Sequence, residues 1–130
     1  MSKYAYPAIF TKEDDGITVT FPDVEGCISC GQTMAEAMLM AEDALAMILA
    51  EKIVSYQDLN EPSNPEMIHT NSNQIVNMIA CDTEHYERKF NKKVVKKSVS
   101  IPKWLNDEAL KKNINFSEVL KNALLKILEI

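Results

Sequence analysis

Lys96, Ser98 and Ser100 occupy every second position of the segment Val94-Val95-Lys96-Lys97-Ser98-Val99-Ser100-Ile101, which stops at Pro102. In an extended strand this spacing sends the three polar side chains to one face and Val99 and Ile101 to the other. Lysine donates to guanine acceptors, serine serves several base edges, and a two-stranded ribbon fits the DNA major groove. The chemistry of this pattern is therefore base-edge recognition. Downstream, Ser117 suits the N-cap of a last helix. The free amides near Ser117 and Glu118 suit a phosphate, a contact that positions the protein but carries little sequence information.

Other chemistries lack parts. Cys27-x-x-Cys30 has a metal-like spacing, but zinc takes four ligands. No second pair follows, and His69 and His85 are far apart. With Cys81 the thiol count is odd, which argues against a disulfide framework. Asp14, Asp15, Asp23 and Glu25 sit in turns, and the early apolar run has no strand-centred Asp. A metal-dependent nuclease centre, the enzymatic alternative, is not expected. The chain has three glycines, with no phosphate-cradling loop, nucleotide motif or Ser/His/Asp set. The expectation is a non-enzyme with no catalytic residue, metal site or cofactor.

The elements that must carry these residues follow from periodicity. Residues 4–11 read as a first strand, with Pro7 indicating an edge or a strand start. Glu13-Asp14-Asp15-Gly16 is a turn, and Asp-Gly favours the positive φ angles of hairpins. Residues 17–21 alternate apolar with Thr, a half-buried strand, and residues 27–30 form a short third strand. Thr33-x-x-Glu36 is a capping box. It opens a helix to about Glu51 whose apolar stripe is Met34, Ala37, Met38, Ala41, Ala44, Leu45, Ile48 and Leu49. Met34, Met38, Met40 and Met47 are expected as core filler. Residues 57–74 are a polar loop. Residues 75–81 are almost wholly apolar and predict a buried central strand. Asp82-Thr83 caps a short helical turn to about Lys89. In the tail, a strand over 94–101 precedes a helix that Pro102 starts, covering 103–112. Asn113-Ile114-Asn115 separates it from the last helix.

The fold expectation is α+β. A β-β-β-α-β domain over 1–82 is followed by a connector over 83–93, with its short helix, and a tail module over 94–130. Connectors of this kind are where proteolysis starts. Charge divides the same way. Residues 1–82 hold three Lys/Arg and thirteen Asp/Glu, net −10; residues 83–130 hold eleven and six, net +5; together they give −5. A basic half suits phosphates, and an acidic half suits a basic protein. No run reaches the ~18 apolar residues of a membrane span. The first residues, Met1 to Pro7, lack a signal-peptide core, so the expected location is the cytoplasm.

One strand and two helices in under 40 residues cannot bury their apolar faces alone. The economical solution is a homodimer through 94–130, with the two strands paired antiparallel across a two-fold axis; a higher oligomer stays open. Lys96 to Leu105, with Asn115-Phe116-Ser117-Glu118-Val119-Leu120, resembles the ribbon-helix-helix family. That resemblance implies base reading by Lys96, Ser98 and Ser100, with Asn115, Ser117 and Glu118 at the second helix as further DNA-binding candidates. The front half resembles the HicB antitoxins through Tyr6-Pro7-Ala8-Ile9-Phe10, the run Asp15 to Cys27 with its Phe-Pro-Asp-x-x-Gly-Cys stretch, and Gly31-x-Thr33-x-x-Glu36-Ala37. This likeness implies a partial ribonuclease-H-like domain that masks a small basic HicA-type mRNA-cleaving toxin, and a tail that represses the shared operon at operator DNA. Asp14, Asp15, Phe21, Asp23 and Glu25 are the candidate toxin contacts. The competing reading is a ribbon-helix-helix transcription regulator whose N-terminal domain senses a small ligand.

Overall fold

The computed structural model describes residues 2–130. The chain divides into two compact units, one ending at Lys93 and the other spanning Val94–Ile130.

The first unit runs β1 (Lys3–Glu13), β2 (Gly16–Thr20), β3 (Ile28–Gly31), α1 (Met34–Val54), β4 (Gln74–Asp82) and α2 (Glu84–Phe90). Its strands make one antiparallel sheet in the order β3-β2-β1-β4. Asp14 and Asp15 form the tip of the first hairpin, where Glu13 pairs with Gly16. Gly16 takes φ +146°, a conformation that side chains resist.

Two strand expectations need correction. Pro7 lies in β1, which is an interior strand and not an edge. Lys12 N–H donates to Asn73 O and Thr83 N–H to Ser2 O at the two ends of the β1–β4 ladder. Counting in twos from either end, the even residues of β1 bond to β4, and Pro7 faces the other way. On that side β2 pairs only from Ile9 onward, so the missing N–H of Pro7 falls where no neighbour needs it. The second correction concerns β4, expected to be central and buried. It is an edge strand. Of its side chains only Ile79 and Cys81 are buried, and Ile75 and Met78 are about half exposed.

The core lies between α1 and one sheet face. Tyr6, Ala8, Phe10, Val19 and Ile79 meet Ala37, Ala41, Leu45 and Leu49. Alanines at the contact let the helix approach closely. Gly31 marks the tightest point, where an added Cβ would lie 2.4 Å from Ala37 N. We expect Gly31→Ala to cost about 1–3 kcal/mol through overpacking, read as a lower urea midpoint at unchanged slope. Met34 packs against the core as expected, but the other α1 methionines do not. Met38, Met40 and Met47 stand on exposed parts of α1, because Ala46 and Ala50 complete the buried stripe in their place.

Helix ends follow local chemistry. Thr33 Oγ1 accepts the Glu36 N–H at 3.1 Å, the first half of the expected capping box. α1 continues to Val54, beyond the expected end near Glu51, and closes at Tyr56 with φ +58°. The loop that follows contains a 3-10 turn, Pro65–Met67. Asp23 holds it by accepting from both the amide and the hydroxyl of Ser63, while Tyr6 OH donates to Asn60 O. At α2 the capping acceptor is Asp82, which takes the Glu84 N–H. Thr83 is wholly buried and donates its hydroxyl to Glu87 at 2.6 Å. Tyr86 OH donates to Asp43 on α1 at 2.6 Å.

The second unit contains α3 (Lys103–Lys111) and α4 (Phe116–Leu128). Residues 94–101, expected as a strand, form no regular element in the single chain. A strand exists only through a ladder, and this unit holds no second strand to pair with.

Candidate functional site

The second unit has no buried residue in either helix. Along α4, Phe116, Val119, Leu120, Leu124, Ile127 and Leu128 recur at helical spacing, and all are exposed. Trp104, Leu105 and Leu110 on α3 are exposed too, as are Val99 and Ile101 before it. Val99, expected to point at the helices, remains 65% exposed. Soluble domains rarely expose this much contiguous apolar side chain unless it serves as an interaction surface.

Lys96, Ser98 and Ser100 are exposed, with no side-chain hydrogen bond or ion pair among the described residues. Asn115, Ser117 and Glu118 are exposed at the start of α4. Their roles there differ from those expected. The N-cap is Asn115, whose Oδ1 accepts the Glu118 N–H at 3.1 Å; Ser117 is already inside the helix. Asparagine ranks with serine as a cap, and the cap two residues earlier lets Phe116 join the apolar stripe. Of the amides assigned to a phosphate, that of Glu118 is therefore occupied. The ion pairs here join side chains three or four residues apart, such as Lys103 with Asp107 and Lys121 with Glu118. All are exposed and contribute little.

In the first unit, Asp14 and Asp15 project from the β1–β2 turn and Glu25 from the loop after β2, all exposed. Asp23 is half-buried, with its carboxylate committed to Ser63. Phe21 belongs to the core at 5% exposure and offers a partner no surface. It anchors the loop that carries Asp23 and Glu25. Cys27 and Cys81 are buried and Cys30 is exposed. Burial pushes the Cys27 and Cys81 thiols up to about 11, which disfavours the thiolates that metals bind. Among the described residues no three His, Cys, Asp or Glu side chains gather as metal ligands would, and no helix is long and apolar enough to cross a membrane. Sequence reasoning missed the apolar surface along β4 and α1, where Leu39, Met40, Ile75 and Met78 are exposed.

The fold is an α+β unit built on a four-stranded antiparallel sheet, followed by a helical unit. The chain belongs to the HicB-like antitoxins of bacterial toxin–antitoxin systems, whose family profile matches residues 6–124. It is similar, at 34% identity over 91 residues, to an uncharacterized 14.9 kDa protein of the rep-hol intergenic region of Haemophilus phage HP1; the match covers 67% of this chain and 68% of that protein. Among solved structures, a chain of a toxin-antitoxin complex from Streptococcus pneumoniae is 25% identical, covering 95% of this chain and 98% of that one at a TM-score of 0.62. The Burkholderia pseudomallei antitoxin HicB shares the fold at 21% identity, with 96% and 98% covered and a TM-score of 0.54. A chain of the HicA3 and HicB3 toxin-antitoxin complex is 25% identical over 61% of this chain and 99% of that one, with a TM-score of 0.52.

Proposed function

We propose that this antitoxin binds and neutralises a small basic HicA-type toxin through its first unit, and represses its own operon by binding operator DNA through a dimer of residues 94–130. Neutralisation is supported by family membership, by the likeness to chains of toxin–antitoxin complexes, and by the net −10 of residues 1–82. Opposite charge steers a basic partner to this unit and speeds encounter.

One observation carries the regulatory half: two helices and an extended segment that bury nothing in the single chain. A second copy supplies what is missing. Two segments 94–101 pair antiparallel, Val99 and Ile101 turn toward the helices, and the stripes of α4 and its partner close over them. Lys96, Ser98 and Ser100 then share the outer face of a two-stranded ribbon, which fits the major groove. Asn115, Ser117 and the start of α4 stand at the DNA backbone, where Asn115 keeps its capping role. The nucleic acid meets the basic half, with eleven Lys/Arg against six Asp/Glu in residues 83–130.

Ser98→Ala and Lys96→Ala should each weaken operator binding by about 1–3 kcal/mol if the contact is a good base-edge one, with toxin binding unchanged. A gel-shift titration beside a toxin pull-down checks both. The whole reading is tested by co-expressing the chain with the small basic protein of the adjacent open reading frame, then co-purifying and assaying operator binding. A neighbour that is harmless alone and does not co-purify would reject neutralisation. A chain with no affinity for the DNA upstream of its own gene would reject repression.

A further inference from the structure

We infer that the first unit carries a small-molecule site at the corner of its sheet that α1 leaves uncovered. The ligand it takes is a singly charged carboxylate with an apolar body, such as a medium-chain fatty acid.

The corner follows from the register. Phe10 pairs with Ile75 and Lys12 with Ile17. Partners across a ladder share a face, and so do residues two apart on one strand. All four side chains therefore lie on the side of the sheet where α1 packs, but α1 begins only at Met34. Between its first turn, the β1–β2 hairpin and the turn before β4 lies a cavity of about 420 Å³, inside the range of roughly 300–1,000 Å³ that small ligands occupy. Phe10, Ile17, Met34 and Ile75 give it an apolar lining. Ile75 is 50% exposed, so a hydrocarbon body lying against it removes apolar surface from water.

The wall formed by the turn before β4 is already in place. Asn73 O accepts the Lys12 N–H at 2.9 Å, and Asn73 Nδ2 donates to Lys12 O at 3.1 Å. Gln74 Nε2 donates to Thr11 Oγ1 at 3.0 Å, and Gln74 Oε1 accepts the Asn71 N–H at 2.9 Å. These bonds tie the turn to β1, so a ligand pays little to order it.

Charge selects the head group. Lys12 is the one charged residue of the lining, and its ammonium makes no ion pair among the described residues. The first-turn amides of α1 add to its effect. Thr33 takes the Glu36 N–H, while those of Met34 and Ala35 have no acceptor among the described residues; such amides favour a nearby anion. The unit as a whole is acidic and opposes anions. A multiply charged phosphate would meet that field with one counter-charge, whereas a single carboxylate is matched by Lys12. None of the lining residues is a candidate toxin contact, so the site stands apart from the proposed function.

The test is a titration of the full-length, isotope-labelled chain with octanoate below its micelle concentration, with octanol as the uncharged control. Octanoate should give saturable amide shifts at Lys12, Thr33, Met34, Ser72, Asn73 and Ile75, and should raise the first melting transition. Lys12→Gln should weaken octanoate binding about tenfold, as the loss of a charge-assisted hydrogen bond does, and leave octanol unaffected. Lys12→Arg should bind as the parent does. Ile75→Glu, at a half-exposed position, sets a like charge on the cavity wall and should abolish octanoate binding in a chain whose first unit still melts cooperatively. Shifts that do not saturate would overturn the inference. So would equal affinity for octanol and octanoate, a Lys12→Gln chain that binds octanoate as the parent does, or shifts confined to the exposed α4 stripe.

Discussion

Leu124→Asp should convert the chain to monomers and abolish operator binding while leaving toxin neutralisation intact. Leu124 lies mid-way along the α4 stripe and is 48% exposed in the single chain, so the substitution costs the isolated unit less than it costs the assembly. A buried leucine is worth about 1.5–3 kcal/mol, and a two-fold interface counts each substitution twice. The dimer should weaken by about 3–6 kcal/mol, roughly 10² to 10⁴-fold in its dissociation constant, before the added cost of burying a carboxylate. A half-site alone retains too few base contacts to hold the operator against salt. Light scattering reads the mass and a gel shift the affinity. Leu124→Met, which conserves volume, should behave as the parent. An Asp variant that stays dimeric would move the interface off α4.

Leu45→Ala should do the reverse, destroying neutralisation by unfolding the first unit. Leu45 is fully buried where α1 crosses the sheet. Removing a core leucine of this kind costs about 2–5 kcal/mol, more where the site cannot collapse. The alanines around it on α1, Ala37, Ala41, Ala46 and Ala50, are short and backbone-bound, so little side chain can move in to fill the space. A domain has only about 5–15 kcal/mol in total, and each kcal/mol moves the melting temperature of a unit this size by roughly 4–8 °C. The expected result is a first transition lowered by roughly 10 °C or more, with toxin rescue lost at growth temperature. Operator affinity at low temperature should be retained. Unaltered melting would mean that the α1–sheet contact does not hold the unit together.

Much of this arrangement can be read from residue patterns, and the failures share one cause. The β1–β2 hairpin, α1 with its Thr33 cap, and the two tail helices are local: alternation, turn residues and 3.6-residue spacing specify them within a few positions. What local pattern cannot supply is the neighbour. Pro7 reads as an edge signal because a sequence does not say that β2 starts pairing only at Ile9. Residues 75–81 read as a central strand because apolar composition reports an affinity for cover, whether that cover comes from the same chain or from another. The same ambiguity reverses the roles of Met38, Met40 and Met47 on α1. Segment 94–101 shows the limit most clearly, since its alternation is strand-like but the single chain offers it no ladder. Among the proposed site residues, Lys96, Ser98 and Ser100 are picked out by period alone. Asn115 carries the cap expected at Ser117 because both residue types cap well and only helix geometry chooses between them. Phe21 drops out of the partner surface because an aromatic beside an acidic loop looks the same in sequence whether it faces in or out.

The pairing of two 94–101 segments can be measured by mixing isotope-labelled and unlabelled copies of the full chain and recording inter-chain NOEs. Contacts are expected between backbone protons of Lys96 to Ser100 on one chain and the same residues, in antiparallel order, on the other. A chain whose labelled and unlabelled copies show no contact across these residues, at concentrations where it binds operator DNA, would contradict it.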